Sequence, residues 1–276
     1  MTLLLLGAIT GAVLGLTGAG GSVLAVPLLM GALGWTLPQA APVALLAVCV
    51  AAAFGTVFAW DVTYVRYRAA LLMAAAGLLT APLGLAVARG LPAPLLNGGF
   101  ALVLVIVAAR MALQVRRAPT EAEVVRANVH GDALFARGRW VRLNQRGRIR
   151  WDARAFAAIG AIGGATGLVS GLLGVGGGFV IVPALRAASQ LSIHSAVSTS
   201  LMAIALTSAA TTTEAVVLGA HLPWQQGVPF VGGAMAGMGL GRWLAPRIAG
   251  PHLQQGFAGL MLLVALGMAG HALDAF

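Results

Sequence analysis

Lysine is absent from this sequence and acids are scarce: seven Asp and Glu stand against seventeen basic residues, and only 9% of the 276 residues are charged. A water-soluble domain of this length carries about a quarter charged residues, so a surface mostly facing water is excluded. Hydrophobic residues make up 59% and the mean hydropathy is +0.93, which makes the lipid bilayer the solvent. The single cysteine, Cys49, lies inside an apolar run, which excludes a disulfide framework and a Cys-based metal site within one chain; it reads as a small core hydrophobe. Met1–Gly18 lacks the basic start of a signal peptide, and its apolar character continues past Pro27, so it reads as membrane structure.

The net charge of +10 raises nucleic-acid binding as an alternative, so its location decides. Residues 116–154 hold ten arginines (Arg116, Arg117, Arg126, Arg137, Arg139, Arg142, Arg146, Arg148, Arg150, Arg154) against four acids (Glu121, Glu123, Asp132, Asp152). That stretch supplies +6 of the +10. Excess arginine in a short loop between apolar segments marks a cytoplasmic loop and argues against nucleic acid as a partner. Within the loop, Trp140-Val-Arg-Leu143 and Arg148-Ile-Arg-Trp151 alternate apolar and polar residues around Asn144-Gln-Arg-Gly147, a pattern that predicts a small hairpin. The richness in Ala, Gly, Arg and Pro fits a GC-rich bacterial genome, hence the bacterial inner membrane.

Glycine is abundant, with 38 residues, and its placement reveals a duplication. Between Gly7 and Pro27, eleven positions (Gly7, Thr10, Gly11, Val13, Gly15, Leu16, Gly18, Gly20, Gly21, Val26, Pro27) recur without a gap 156 residues on, between Gly163 and Pro183. Leu83-Gly84, Pro94 and Gly99-Phe100 meet Leu240-Gly241, Pro251 and Gly256-Phe257 one residue out of phase. The chain therefore divides into a first membrane repeat, 1–115, a basic linker, 116–154, and a second repeat, 155–276. Each repeat holds a Gly-rich apolar stretch and three plain ones, about 38–60, 69–89 and 93–115, then 191–218, 224–246 and 252–273. Each plain stretch suffices to cross a hydrocarbon core of roughly 30 Å as a helix. Gly77 and Gly84, with Gly233, Gly237 and Gly241, fall at small-residue spacings that suit close helix packing.

Gly18-Ala-Gly-Gly21 and Gly174-Val-Gly-Gly-Gly178 interrupt the Gly-rich stretches, and a proline follows each. Glycine costs a helix about 1 kcal/mol and proline removes a backbone donor, so each stretch should be two half-helices around non-helical backbone. Such backbone is tolerated at membrane depth only inside protein or against a cavity. If each broken stretch enters and leaves on one side, Arg66, Arg68, Arg116, Arg117, Arg154, Arg186, Arg242 and Arg247 lie inside and only Arg89 lies outside. Three crossings per half then make the two halves an inverted repeat. The expected fold is an all-α polytopic membrane protein.

The doubled Gly-x-x-Gly-x-Gly-Gly segment followed by proline, the basic linker and four apolar stretches per half resemble the sulfite exporter TauE/SafE family over essentially the whole chain. The motif elements are Gly11, Gly15, Gly18, Gly20, Gly21 and Pro27, then Gly167, Gly171, Gly174, Gly176, Gly177, Gly178 and Pro183, with His194-Ser-Ala-Val-Ser-Thr-Ser200 next. The first copy departs from the pattern, with Ser22 for Gly178 and Pro38-Gln-Ala-Ala-Pro-Val-Ala44 for the hydroxyl run. The resemblance implies a permease for sulfite, sulfonates or related anions, coupled to an ion gradient, without cofactor or covalent chemistry.

The physical reading agrees. A broken helix offers the unpaired N–H groups and positive dipole end of its second half, and glycine lets an anion approach that backbone. The candidate substrate ligands are Thr17, Gly18, Gly20, Gly21, Ser22, Ser170, Gly174, Gly176, Gly177, Gly178, Ser198, Thr199 and Ser200, with Gln39 also nearby in sequence. Neutral hydroxyls bind an anion and still release it; their competing role is to bond carbonyls one turn back. Glu214, an acid inside a helix after Thr211-Thr-Thr213, is the candidate for proton coupling, and its alternative is an interfacial position at the helix end. His194 is a second coupling candidate or a capping residue. Asp61, beside Arg66 and Arg68, reads as part of a loop ion pair.

The expected partners are a small anion, the bilayer and a coupling proton or sodium ion, and an oligomer is compatible with this reading. A membrane enzyme would need clustered His, Asp or Glu, whereas His130, His194, His221, His252 and His271 are scattered and no HExxH or nucleophile elbow occurs. A metal transporter would need clustered ligands, and the nine methionines form no cluster, which leaves a channel or another small-solute carrier as the competing class.

Overall fold

The computed structural model describes residues 1–18, 21–58, 65–117, 141, 149, 151–189, 193–220, 222–244, 259 and 262. Nine helices occur among them: α1 (Thr2–Thr17), α2 (Gly21–Leu33), α3 (Leu37–Phe58), α4 (Tyr67–Gly90), α5 (Ala93–Arg117), α6 (Ala153–Leu173), α7 (Gly178–Ala188), α8 (Ile193–Val217) and α9 (Trp224–Leu244). These match the expected stretches to within a few residues. The last expected span, 252–273, lies outside the described residues except for 259 and 262, the Trp140–Trp151 hairpin except for 141, 149 and 151, and Asp61 lies outside them altogether. Of the linker's interior, Val141 donates its N–H to Ala188 O at 2.9 Å and forms an isolated bridge with Ser189.

Four helices, α3, α4, α6 and α8, are long and apolar enough to cross a membrane, and α1 and α2 are shorter apolar helices. The chain divides into two compact units, Met1–Arg89 with Asp132–Arg242, and Gly90–Gly131 with Trp243–Phe276. The described helix of the second unit is α5, in which Phe100 and Leu104 are buried.

The first unit turns its polarity inward. Leu78, Leu79, Leu83 and Val87 of α4 and Val228 and Leu240 of α9 are exposed, while Thr10, Ser22, Thr166, Ser170, Thr207, Ser208 and Thr211 are buried. Lipid removes the hydrophobic reason to bury leucine, so helix association depends on close packing and on satisfied hydroxyls. Thr10, Thr166, Thr207, Thr211 and Thr212 each donate to the carbonyl four residues back, at 2.6–2.9 Å.

The packing is crosswise between the repeats. Gly7, Gly11 and Gly15 of α1 lie against the backbone of Phe230, Ala234 and Met238 in α9. Their equivalents Gly163, Gly167 and Gly171 of α6 lie against Met73, Gly77 and Ala81 in α4. In both seams the contact positions rise together along the two helices, so each pair runs parallel. Each repeat thus packs its first helix on the fourth described helix of the other, and α3 and α8 pack on each other. The glycines expected to serve packing do so at these seams.

Both Gly-rich stretches are broken where the sequence expects. Gly18 ends α1 at φ 73° and Gly174 ends α6 at φ 68°, and their N–H groups cap Leu14 O and Ser170 O, both at 2.8 Å. Left-handed backbone at these caps suits glycine, which has no Cβ to strain it. The chain then doubles back: Gly21 at the start of α2 lies beside Thr10 and Leu14 of α1, and Gly177 lies beside Thr166 of α6.

Candidate anion site at the helix breaks

The two breaks are built alike and lie against exchanged partners. Gly18 packs on Val197 near the start of α8, and its equivalent Gly174 packs on Ala41 near the start of α3. Val197 and Ala41 are themselves 156 residues apart, so the duplication is a near two-fold relation in space. The second arms meet near that axis. A Cβ placed on Gly178, at the start of α7, would stand 3.3 Å from Ser22 Oγ, at the start of α2. Gly178 and Ser22 are equivalent positions, so the N-terminal ends of the two second half-helices converge on one buried spot.

At the second break Gly174, Gly176 and Gly177 all have positive φ, at 68°, 67° and 62°. Residues 174–179 are buried. Gly177 is the N-cap of α7, and no side chain caps the helix. The first N–H groups of a helix have no partner within it, so a buried start without a side-chain cap offers donors to something else. Beside it, a Cβ on Gly176 would stand 2.6 Å from Ser208 Oγ and 3.3 Å from Val48 Cγ1. Gly20, the equivalent of Gly176, lies outside the described residues.

Of the remaining sequence candidates, Ser22 and Ser170 are fully buried, and Ser170 Oγ lies 3.5 Å from Thr211 Oγ1. Thr17 Oγ1 donates to Val13 O at 2.7 Å and Ser200 Oγ to Val197 O at 2.9 Å, the back-bonding that the sequence offered as their competing role. Ser198 is buried. Thr199 has a structural partner in another element: its Oγ1 accepts the Arg66 backbone N–H at 3.0 Å, which ties the start of α4 to α8. Gln39 Oε1 accepts the Thr36 N–H at 3.1 Å and so caps the start of α3.

Glu214 sits in the last turn of α8, six residues past Ser208 and so about 9 Å further along the axis. Its Oε2 is buried with no hydrogen-bond partner among the described residues. Arg89 Nη2 donates to Leu218 O at 3.0 Å, at the same end of α8. His194 belongs to the first turn of α8, and its side chain lies outside the described residues. The two coupling candidates therefore stand at opposite ends of one helix.

Sequence reading missed Ser208. Its signal was the run Ser200, Ile204, Ser208, Thr211 at intervals of four, four and three, one face of a helix. Among the described residues, no three His, Cys, Asp or Glu side chains gather as a metal site.

A profile described as Sulfite exporter TauE/SafE matches residues 3–268. The chain belongs to the sulfite exporter TauE/SafE family. Two curated relatives of this TauE/SafE chain, from Xylella fastidiosa strains 9a5c and Temecula1 / ATCC 700964, are each named "Probable membrane transporter protein". They are 32% identical to it over 263 and 262 residues, covering 93% of this chain and 89% of theirs. No solved structure matches it. The TauE/SafE chain is thus an integral multi-pass membrane protein and a transporter, not an enzyme.

Proposed function

We propose that this TauE/SafE transporter moves a small anion of the sulfite or organosulfonate type, bound where its two helix breaks converge. The observation that carries this reading is the approach of Gly178 to Ser22, which brings the N-terminal ends of α7 and α2 together in the buried centre of the unit. Each helix start is equivalent to about half a positive charge, and two of them attract an anion without a fixed guanidinium to trap it. Glycine leaves the backbone N–H groups accessible, and irregular backbone at this depth is tolerated where it faces a site.

The reversal of the chain at each break supports stretches that enter and leave on the same side of the membrane. Each repeat then crosses an odd number of times, which makes the repeat inverted and places the near two-fold axis in the membrane plane. Alternate opening of the two sides would expose one central site, with Glu214 or His194 carrying a coupled proton.

Gly176→Val, or Gly20→Val at the equivalent position, tests this site. The branched Cβ of valine disfavours left-handed backbone, and at Gly176 it also meets Ser208 and Val48. Sulfite flux into proteoliposomes should be abolished while the variant still inserts and purifies as the parent does. Undiminished flux would remove the breaks from the site.

A further inference from the structure

A buried serine that the family motif does not contain faces the second break, and its surroundings make the two halves unequal. Ser208 is fully buried, and its Oγ has no hydrogen-bond partner among the described residues. Most buried hydroxyls in membrane helices bond the carbonyl one turn back, as Thr207, Thr211 and Thr212 do on the same helix. Ser208 instead lies against Gly176 Cα, beside the uncapped start of α7. A buried hydroxyl left unpaired carries a desolvation cost, and so does a buried helix start without a cap. One acceptor between them would satisfy both. An acceptor with several oxygens and a negative charge suits a hydroxyl, adjacent main-chain N–H groups and a helix dipole at once.

At the equivalent position the first half has no hydroxyl. Ala52 is the residue 156 positions before Ser208, and it is fully buried. The same loss runs along α3, where Val43 and Ala44 stand for Thr199 and Ser200, and Gly55 stands for Thr211.

We infer that Ser208 Oγ is a substrate donor, and that it places a single oxyanion at the second break, Gly174–Gly178, so that the two half-sites of the duplicated fold are not equivalent. This rests on the reading of the breaks as the anion site, and it names the side chain that selects an oxyanion there. Ser208 gives the anion its directional hydrogen bond. The α2 end contributes field across the axis.

The experiment measures binding of sulfite, thiosulfate and sulfoacetate to the full-length detergent-solubilised chain by calorimetry, with thermal unfolding recorded with and without anion. The parent is expected to bind one anion per chain. Ser208→Ala should weaken that binding at least about tenfold, the loss of one hydrogen bond to a charged group. Without anion it should melt no lower than the parent, because it removes an unpaired buried hydroxyl. Ser208→Cys, a weak donor of similar size, should fall between the two in affinity. Parent-like affinity in both variants, with binding lost in Gly176→Val, would overturn the role of Ser208 and leave the breaks as the site. Binding that survives all three substitutions, or a parent that binds none of the three anions, would overturn both readings. Two anions per chain would overturn the inequality of the halves, and an empty Ser208→Ala that melts lower with unchanged affinity would make Ser208 a packing residue.

Discussion

Gly232 and Gly233 are adjacent in α9, yet alanine at each should have clearly different effects on stability. A Cβ on Gly232 meets nothing within 4 Å. On Gly233 it would stand 2.9 Å from Leu4 C and 3.0 Å from Ala8 N, both main-chain atoms of α1. Leu4 O lies nearer still, and non-bonded carbons rest at about 3.5–4.0 Å, so the helices would have to part by about 1 Å or more along a seam that also holds Gly7, Gly11 and Gly237. Both substitutions share the gain from replacing a helical glycine, about 0.5–1 kcal/mol. The difference between them therefore isolates the steric penalty, about 1–3 kcal/mol for overpacking. Thermal unfolding of the two purified variants in one detergent, followed by tryptophan fluorescence, reads the difference directly. Gly232→Ala should melt above the parent and Gly233→Ala clearly below Gly232→Ala. Equal melting of the two would mean that α1 and α9 do not meet backbone to backbone, and the crosswise pairing of the repeats would fall with that contact.

The proposed topology, with the linker inside, predicts that cysteines introduced singly at positions 2 and 276 in a Cys49→Ala background react with an impermeant thiol reagent on intact cells, while one at 144 does not; labelling at 144 alone would reverse it. Thr199→Val leaves the Arg66 N–H without its 3.0 Å acceptor, and the loss should be about 1–3 kcal/mol in unfolding, restored by Thr199→Ser. If Glu214 carries the coupled proton, Glu214→Gln should bind anion normally yet lose the response of proteoliposome uptake to an imposed pH gradient. Gradient-driven accumulation in that variant would move coupling to His194, to a protonated substrate or to sodium.

The amino-acid sequence by itself determined the solvent, the duplication and the position of each break. Scarce charge and long apolar runs act through composition, and Gly18 and Gly174 end their helices through a local backbone preference, so no distant contact is needed to foresee either. The ranges of α3, α4, α8 and α9 follow for the same reason. Only the tertiary structure decided which helices meet. The glycine spacings of α1, α4, α6 and α9 announce close approach but name no partner, because any small-residue face can pack on any other; the crosswise pairing emerges from all the seams together. Side-chain roles divided in the same way. Thr17 and Ser200 bond within their own turns, where sequence could offer the alternative, whereas Thr199 meets Arg66 and Ser208 meets Gly176 across long separations in the chain. Which hydroxyl faces the break depends on the rotation of α8 against α7, and beside Gly176 that face also holds Ile204, opposite Val48, two residues that the sequence leaves as ordinary apolar ones.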